Sequence, residues 1–91
     1  MLLMGAVFFL EAIFRVGPHT VLTGTVKEGV LKLGMKFDLN NKTLEVGKIE
    51  SMGRQIEHAP ANSKIGLAFT KLSESDMPSL KLLLKNNLSF V

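Results

Sequence analysis

The chain has 91 residues, 46% hydrophobic and 21% charged, which fits one domain (residues 1–91) with a single modest core. Eleven Lys and Arg face eight Asp and Glu, a formal charge of +3, and the lysines are spread singly rather than in a basic block; an RNA or other anionic partner is compatible with this but not required by it. With no cysteine, disulfides, thiolate metal sites and cysteine nucleophiles are excluded, and a reducing cytoplasm is the natural setting.

Met1 to Leu10 is apolar, but no Lys or Arg precedes it and Glu11 ends it. It is far shorter than the ~20 residues of a membrane-spanning helix, and a secretory signal would begin with basic residues. The run therefore reads as a buried strand, with an interfacial anchor as the alternative, and not as a membrane-spanning segment. Ala6 to Val16 continues it and is apolar on both parities: Val7, Phe9 and Ile13 on one face, Phe8, Leu10, Ala12 and Phe14 on the other. That pattern fits a strand covered on both sides; a helix is open at this length, but Phe, Ile and Val favour the strand. Gly17-Pro18 stops it, since proline cannot donate to a ladder. Thr20 to Val26 is rich in β-branched residues and predicts a second strand. A turn at Lys27-Glu28-Gly29 and another at Gly34 follow.

Met35, Phe37 and Leu39 alternate with Lys36 and Asp38, a half-buried strand ending in an Asn40-Asn41 hairpin turn. In the next run, Thr43 to Met52, Leu44 and Val46 share one parity and Ile49 has the other, with Gly47 between. A parity switch at a glycine predicts a β-bulge, which would bend the strand. Met52-Gly53-Arg54 predicts a tight turn, Gln55 to His58 a short strand, and Ala59 to Ser63 a loop. Ile65, Leu67 and Phe69 alternate with Gly66, Ala68 and Thr70, and the small face suggests close packing as at a barrel seam. Ser73-Glu74-Ser75-Asp76 is a capping pattern for one helical turn that Pro78 limits. Leu80 to Lys85 fits a last strand or a short helix; Asn86-Asn87 favours the strand, with Leu88 to Val91 folding back as a hairpin arm. Seven or so short strands at this spacing predict an all-β fold, and closure into a small antiparallel barrel of six to seven strands would remove exposed edges.

The central block carries a family resemblance. Gly17, Thr20, Val21, Thr23, Gly24, Val26, Gly29, Val30, Gly34 and Phe37 fall on a pattern that resembles the second domain of translational GTPases, the elongation factor Tu and initiation factor type. Val46 to Met52, Glu57 to Gly66 and Leu72 to Leu80 look like later segments of the same domain, so the likeness covers about residues 6–85. Pro18-His19, Ala12-Ile13-Phe14 (where the family tends to have an acid), Asn62 and Leu80 depart from the family pattern. The resemblance implies a β-barrel of the domain II type, standing without the GTPase domain. Beginning at Met1, the chain reads as a stand-alone protein or as one domain of a larger factor.

The GTPase chemistry is missing from these residues. Met35 follows Gly34 where a phosphate loop needs Lys, and Asn41-Lys42-Thr43-Leu44 lacks the acid that reads guanine. GTP binding by this chain alone is not expected. His19 and His58 have no acidic cluster between them, and no serine lies in a nucleophile elbow. The chain is therefore expected not to be an enzyme and to need no metal or other cofactor. By the resemblance, Glu50, Arg54, Glu57 and His58, around the Met52-Gly53 turn, stand near the pocket for the aminoacyl end of tRNA. A carboxylate there accepts from a ribose hydroxyl, and an Arg meets phosphate or stacks on a base. Lys27, Lys32 and Lys48 are candidate phosphate contacts. The expected role is a translation-factor-like module that binds tRNA or ribosomal RNA. The alternative is an adaptor that docks on a GTPase or ribosome-associated protein without touching RNA, or that pairs two copies through the apolar ends. Ion pairs on a solvated hairpin are the plain alternative for the charged cluster.

Overall fold

The structure is a computed structural model and describes residues 5–91. Met1 to Met4, part of the apolar start, lie outside the described residues. The elements in chain order are β1 (Ala6–Val16), β2 (His19–Glu28), β3 (Val30–Lys32), β4 (Lys36–Leu39), β5 (Lys42–Ser51), β6 (Arg54–Ile56), β7 (His58–Pro60) and β8 (Lys64–Phe69). A 3-10 turn (Glu74–Asp76), a short helix α1 (Met77–Lys81) and β9 (Asn87–Phe90) complete the fold. All strand pairs are antiparallel, and the main sheet runs β4-β5-β8-β2-β1-β9 with β6 paired to β5. Its two ends meet: Lys36 N–H donates to Val91 O at 2.7 Å, and Val91 N–H donates to Lys36 O at 3.0 Å. The expected small barrel is thus formed, nearly closed, with β3 and β7 as a separate ribbon that contributes buried Leu31 and Ala59 to the core.

Alternation fixes which side chains fill the barrel. Phe8 and Leu10 of β1, Leu22 and Val26 of β2, Leu44, Val46 and Ile49 of β5, and Ile65, Leu67 and Phe69 of β8 point inward and are buried. Phe37, Phe69 and Phe90 stack with centroids 5.4–6.2 Å apart, and Phe8 meets Phe90 edge-on. Such aromatic pairs add about 0.5–1.5 kcal/mol each beyond their burial. Met77 and Leu80 of α1 join the same core.

Several expectations hold. Asn40 takes φ +55 in the β4–β5 turn. The register of β5 against β8 slips between Val46 and Lys48, which is the bulge at Gly47 that lets Val46 and Ile49 share the inner face. Others are corrected. β1 is not covered on both sides: Phe14 and Val16 are exposed. A second bulge explains the double parity. Leu10 pairs with Gly24 and Ala12 with Thr23, leaving Glu11 as the extra residue, so Ile13 turns inward to join Phe8 and Leu10. Lys27 and Glu28 stay in β2, and Gly29 alone makes the bend, at φ +72. The short strand expected over Gln55–His58 is split by a bend at Glu57, and Ala59-Pro60 is strand rather than loop. Pro60 is tolerated because its two-stranded ribbon leaves its missing N–H on an edge.

The tail differs most. Leu80-Lys81 end α1, 82–85 form turns, and Leu88 to Phe90 lie in β9 against β1 rather than in a hairpin arm. Helix wins over strand because the cap commits the chain early: Ser73 N–H donates to Asp76 Oδ2 at 2.9 Å, and Pro78 sits in the first turn of α1, where its missing donor costs nothing. Of the apolar tail, Leu80, Leu88 and Phe90 are buried in this barrel, which leaves Leu82, Leu84 and Val91 exposed for any pairing of copies.

Asp76 also ties α1 to the barrel. Lys42 Nζ, from the β4–β5 hairpin, lies 2.6 Å from its Oδ2. This hydrogen bond, then the Ser73 N–H, holds the Asp76 carboxyl below the ordinary carboxylate range. A depressed folded-state pKa stabilises the fold above the unfolded value and stops doing so as pH falls through the folded value. Asp76→Asn is therefore expected to lower the melting temperature at neutral pH. The gap to the unsubstituted chain should close as the pH is taken below the carboxylate range. A gap of constant size down to that pH would show that the carboxylate charge is not what ties the helix.

Candidate nucleic-acid groove

The outward face of the main sheet is built by the same alternation that fills the core. Ala12, Thr23, Gly66, Glu50 and Gln55 are successive cross-strand partners on β1, β2, β8, β5 and β6. In the next row Phe14 faces Val21 and Ala68 faces Lys48. Because β8 presents only Gly66 and Ala68 outward here, the middle of this face is a trough. The hollow has a volume of about 260 Å³, floored by Gly66 and Ala68 and bounded by Val16, His19 and Val21 on one side and Lys48 and Glu50 on the other. The small face of β8 therefore makes an open groove and not a packed seam. A smaller hollow lined by Pro18, His19 and Leu72 prolongs it past Ala68.

The groove is apolar at its floor and charged along one rim. Lys48 Nζ lies 3.4 Å from Glu50 Oε2, with both side chains nearly half exposed. An ion pair so placed contributes about 0–1 kcal/mol, so either partner can exchange it for a ligand group at little cost. Glu50 offers acceptor oxygens, Lys48 three donors.

The other candidate residues scatter. Arg54 sits opposite Ser51 beside the β5–β6 turn, exposed. Glu57 lies at the bend after β6, where its carbonyl accepts from Leu33 N–H at 3.1 Å. His58 and Lys32 are cross-strand partners on the β3–β7 ribbon, both exposed. Lys27 stands at the far end of β2, its Nζ 5.8 Å from the centroid of the Phe9 ring. So the structure brings Lys48 and Glu50 together at the groove, pairs Lys32 with His58 elsewhere, and leaves Lys27, Arg54 and Glu57 outside the groove. The sequence alone did not assign His19, Val16 or the outward glycine of β8 to this site. The parity of Ile65, Leu67 and Phe69 was the available signal, because it already placed Gly66 and Ala68 on the opposite, outward face.

The β5–β6 turn has an unusual residue at its tip. Met52 takes φ +52 ahead of Gly53 at φ +79, and its side chain is 99% exposed. Two successive positive φ values suit Asn-Gly, whereas an unbranched apolar residue there carries strain. Met52→Asn is expected to raise stability, by at most the ~1–2 kcal/mol that the left-handed conformation costs a residue other than Gly or Asn, seen as a higher urea midpoint with unchanged slope. An unchanged or lower midpoint would mean that the positive φ at Met52 carries no strain that Asn relieves.

Among the described residues no group of three His, Cys, Asp or Glu side chains is placed to hold a metal ion, and no helix is long and apolar enough to cross a membrane. No family model and no curated protein sequence matches the chain. Among solved structures, translation elongation factor SelB from Methanococcus maripaludis, in its apo form, is similar over 94% of this chain, with a TM-score of 0.69 and 20% identity. The match takes in 18% of that protein's length. The fold is therefore that of a translation-factor barrel, and the similarity spans one domain's worth of a much longer factor.

Proposed function

We propose that the chain is a non-enzymatic, translation-factor-like binding module of the cytoplasm whose groove takes the end of an RNA strand, the aminoacyl end of tRNA first of all. The observation that supports this most is the groove over Gly66 and Ala68 with Glu50 on its rim. An apolar floor between two strands suits the flat face of a terminal base. The Glu50 carboxylate can accept from the ribose 2′-hydroxyl, the group that distinguishes RNA from DNA. Lys48, released from Glu50, can meet a phosphate, and His19 and Val16 bound the other side. In this reading the chain does not bind GTP by itself, because Met35 stands where the phosphate-loop lysine belongs.

A second reading, docking on a GTPase or ribosome-associated protein, draws on the exposure of Phe14 (53%) and Val16 (62%) beside the groove and of Leu82 (81%) in the tail. Binding of aminoacyl-tRNA, deacylated tRNA and total RNA at two salt concentrations separates the two. The RNA-end reading expects binding that weakens steeply with salt, as phosphate contacts require, and that favours aminoacyl-tRNA. Salt-sensitive binding with no such preference would point to a ribosomal or general RNA contact. No binding at low salt would sink the RNA reading in favour of the protein adaptor.

A further inference from the structure

The outer face carries an aromatic that the groove does not use. Upstream of the bulge at Glu11, a second row crosses the sheet: Asn87 on β9, Phe9 on β1, Thr25 on β2 and Lys64 on β8 are successive partners. Phe9 points outward, only half-buried, with Lys27 Nζ 5.8 Å from its ring centroid. Lys85 comes to the same stretch from the other side, since its N–H donates to Leu10 O at 2.7 Å. Lys27 thus lies over the outward aromatic, Lys64 shares its cross-strand row two strands away, and the Lys85 backbone is bonded to the residue next to it. Glu11 and Glu28 are the nearby acids along the chain, yet among the described residues neither is in an ion pair with any of these lysines.

This patch is continuous with the groove. A hollow of about 250 Å³ lies between them, lined by Lys64, Glu11 and Thr23 at one end and by Glu50 and Gly66, which also line the groove, at the other. From Phe9 to Val16 the path along β1 is about 23 Å at roughly 3.3 Å per residue, longer than one nucleotide needs. An outward aromatic with flexible cations around it is how single-stranded nucleic acid is held without regard to sequence: a base stacks on the ring and the cations track the backbone. The ammonium of Lys27 can leave the Phe9 ring to a base and turn to a phosphate, keeping its charge useful in both states.

We propose that this face binds a short single-stranded RNA segment leading into the groove. Phe9 stacks a base several positions before the terminal one, and Lys27, Lys64 and Lys85 contact the phosphates. The proposal rests on the RNA reading of the groove but adds a separate site to it. The test is fluorescence anisotropy with 5′-labelled RNAs of two and of six nucleotides that share the same 3′ sequence. The six-nucleotide RNA should bind at least about 10-fold more tightly, because one stacked base alone contributes roughly 5- to 150-fold. Phe9→Leu, which keeps an apolar side chain, and Lys27→Ala, which changes an exposed one, should each weaken the longer RNA and leave the shorter unchanged. Lys27→Ala should also lower the salt slope by about 0.7, the loss of one single-strand phosphate contact. Equal affinity for the two lengths, or longer-RNA binding indifferent to both variants, would overturn the Phe9 site and leave the groove reading standing. Failure of both RNAs to bind would overturn both.

Discussion

Gly24→Ala is expected to cost about 3 kcal/mol or more, the upper end of what overpacking does in a well-packed interior. Gly24 lies in the middle of β2, buried and opposite Leu10. A Cβ built there would sit 1.9 Å from the carbonyl oxygen of Phe9 and 2.9 Å from Cζ of Phe8. Neither obstacle can yield cheaply. The carbonyl belongs to a strand pinned between β2 and β9, and the Phe8 ring is fully buried against Phe90. A chain of this size has total stability of the order of 5–14 kcal/mol at ~0.05–0.15 kcal/mol per residue, so the loss is a large share of it. At about 4–8 °C per kcal/mol the melting temperature should fall by roughly 12–24 °C. Gly34→Ala is the control: its φ is +86, but nothing lies within 4 Å of the added carbon. There only the left-handed backbone is penalised, by about 1–2 kcal/mol. Thermal or urea unfolding of both variants checks the contrast. Equal losses would show that backbone conformation, and not the close approach of β1, is why position 24 is glycine.

The same approach explains what the sequence could not show. The Gly47 bulge was legible because the glycine sits at the parity change of Leu44, Val46 and Ile49. The Glu11 bulge left no such mark on its own strand. The residue that accompanies it, Gly24, is on the partner, and only the register of β1 against β2 connects the two. Reading β1 as doubly covered followed directly, since Val7, Phe8, Phe9, Leu10, Ile13 and Phe14 are apolar whichever way the strand turns. The tail failed for a different reason. Leu82, Leu83 and Leu84 have no period to read, and what ends α1 and starts β9 is backbone: Lys85 at φ +66 and the hydrogen bonds of Lys85 and Asn86 to Leu10. By contrast the β4–β5 hairpin was plain, because alternation, turn residues and burial all agree there.

The groove was legible in parts and not as a whole. Glu50 and Lys48 stood out as charges near a turn, and Gly66 and Ala68 as small residues on one face. That they share a site depends on the row Ala12, Thr23, Gly66, Glu50, and register across four strands is a property of the assembled sheet rather than of any local stretch. Arg54, Glu57 and His58 were grouped with Glu50 by nearness in sequence, but the bend at Glu57 carries His58 onto the ribbon with Lys32.

Filling the groove should have the largest effect on binding of any single change that spares the fold. A Cβ at Gly66 would meet Cγ1 of Val21 at 3.1 Å, so Val21 must give by a few tenths of an ångström, and the next neighbour is at 3.9 Å. The outward side is open, and a β-branched residue suits a strand. Gly66→Val is therefore expected to change stability by no more than about 1 kcal/mol. Its methyl groups would occupy the floor on which a terminal base must lie. Pocket contacts of that size are worth about 1–3 kcal/mol, which for a displaced ring means roughly 30- to 150-fold weaker binding of aminoacyl-tRNA at the upper end. Glu50→Gln keeps the shape and removes the charge, so it should cost less, about 10-fold, by weakening the hydrogen bond to the ribose. The order of the two variants carries the argument. If Glu50→Gln weakens binding and Gly66→Val does not, the ligand touches the charged rim without entering the groove. Its base would then have to rest elsewhere on the sheet. If neither matters while RNA still binds, the groove is not the site.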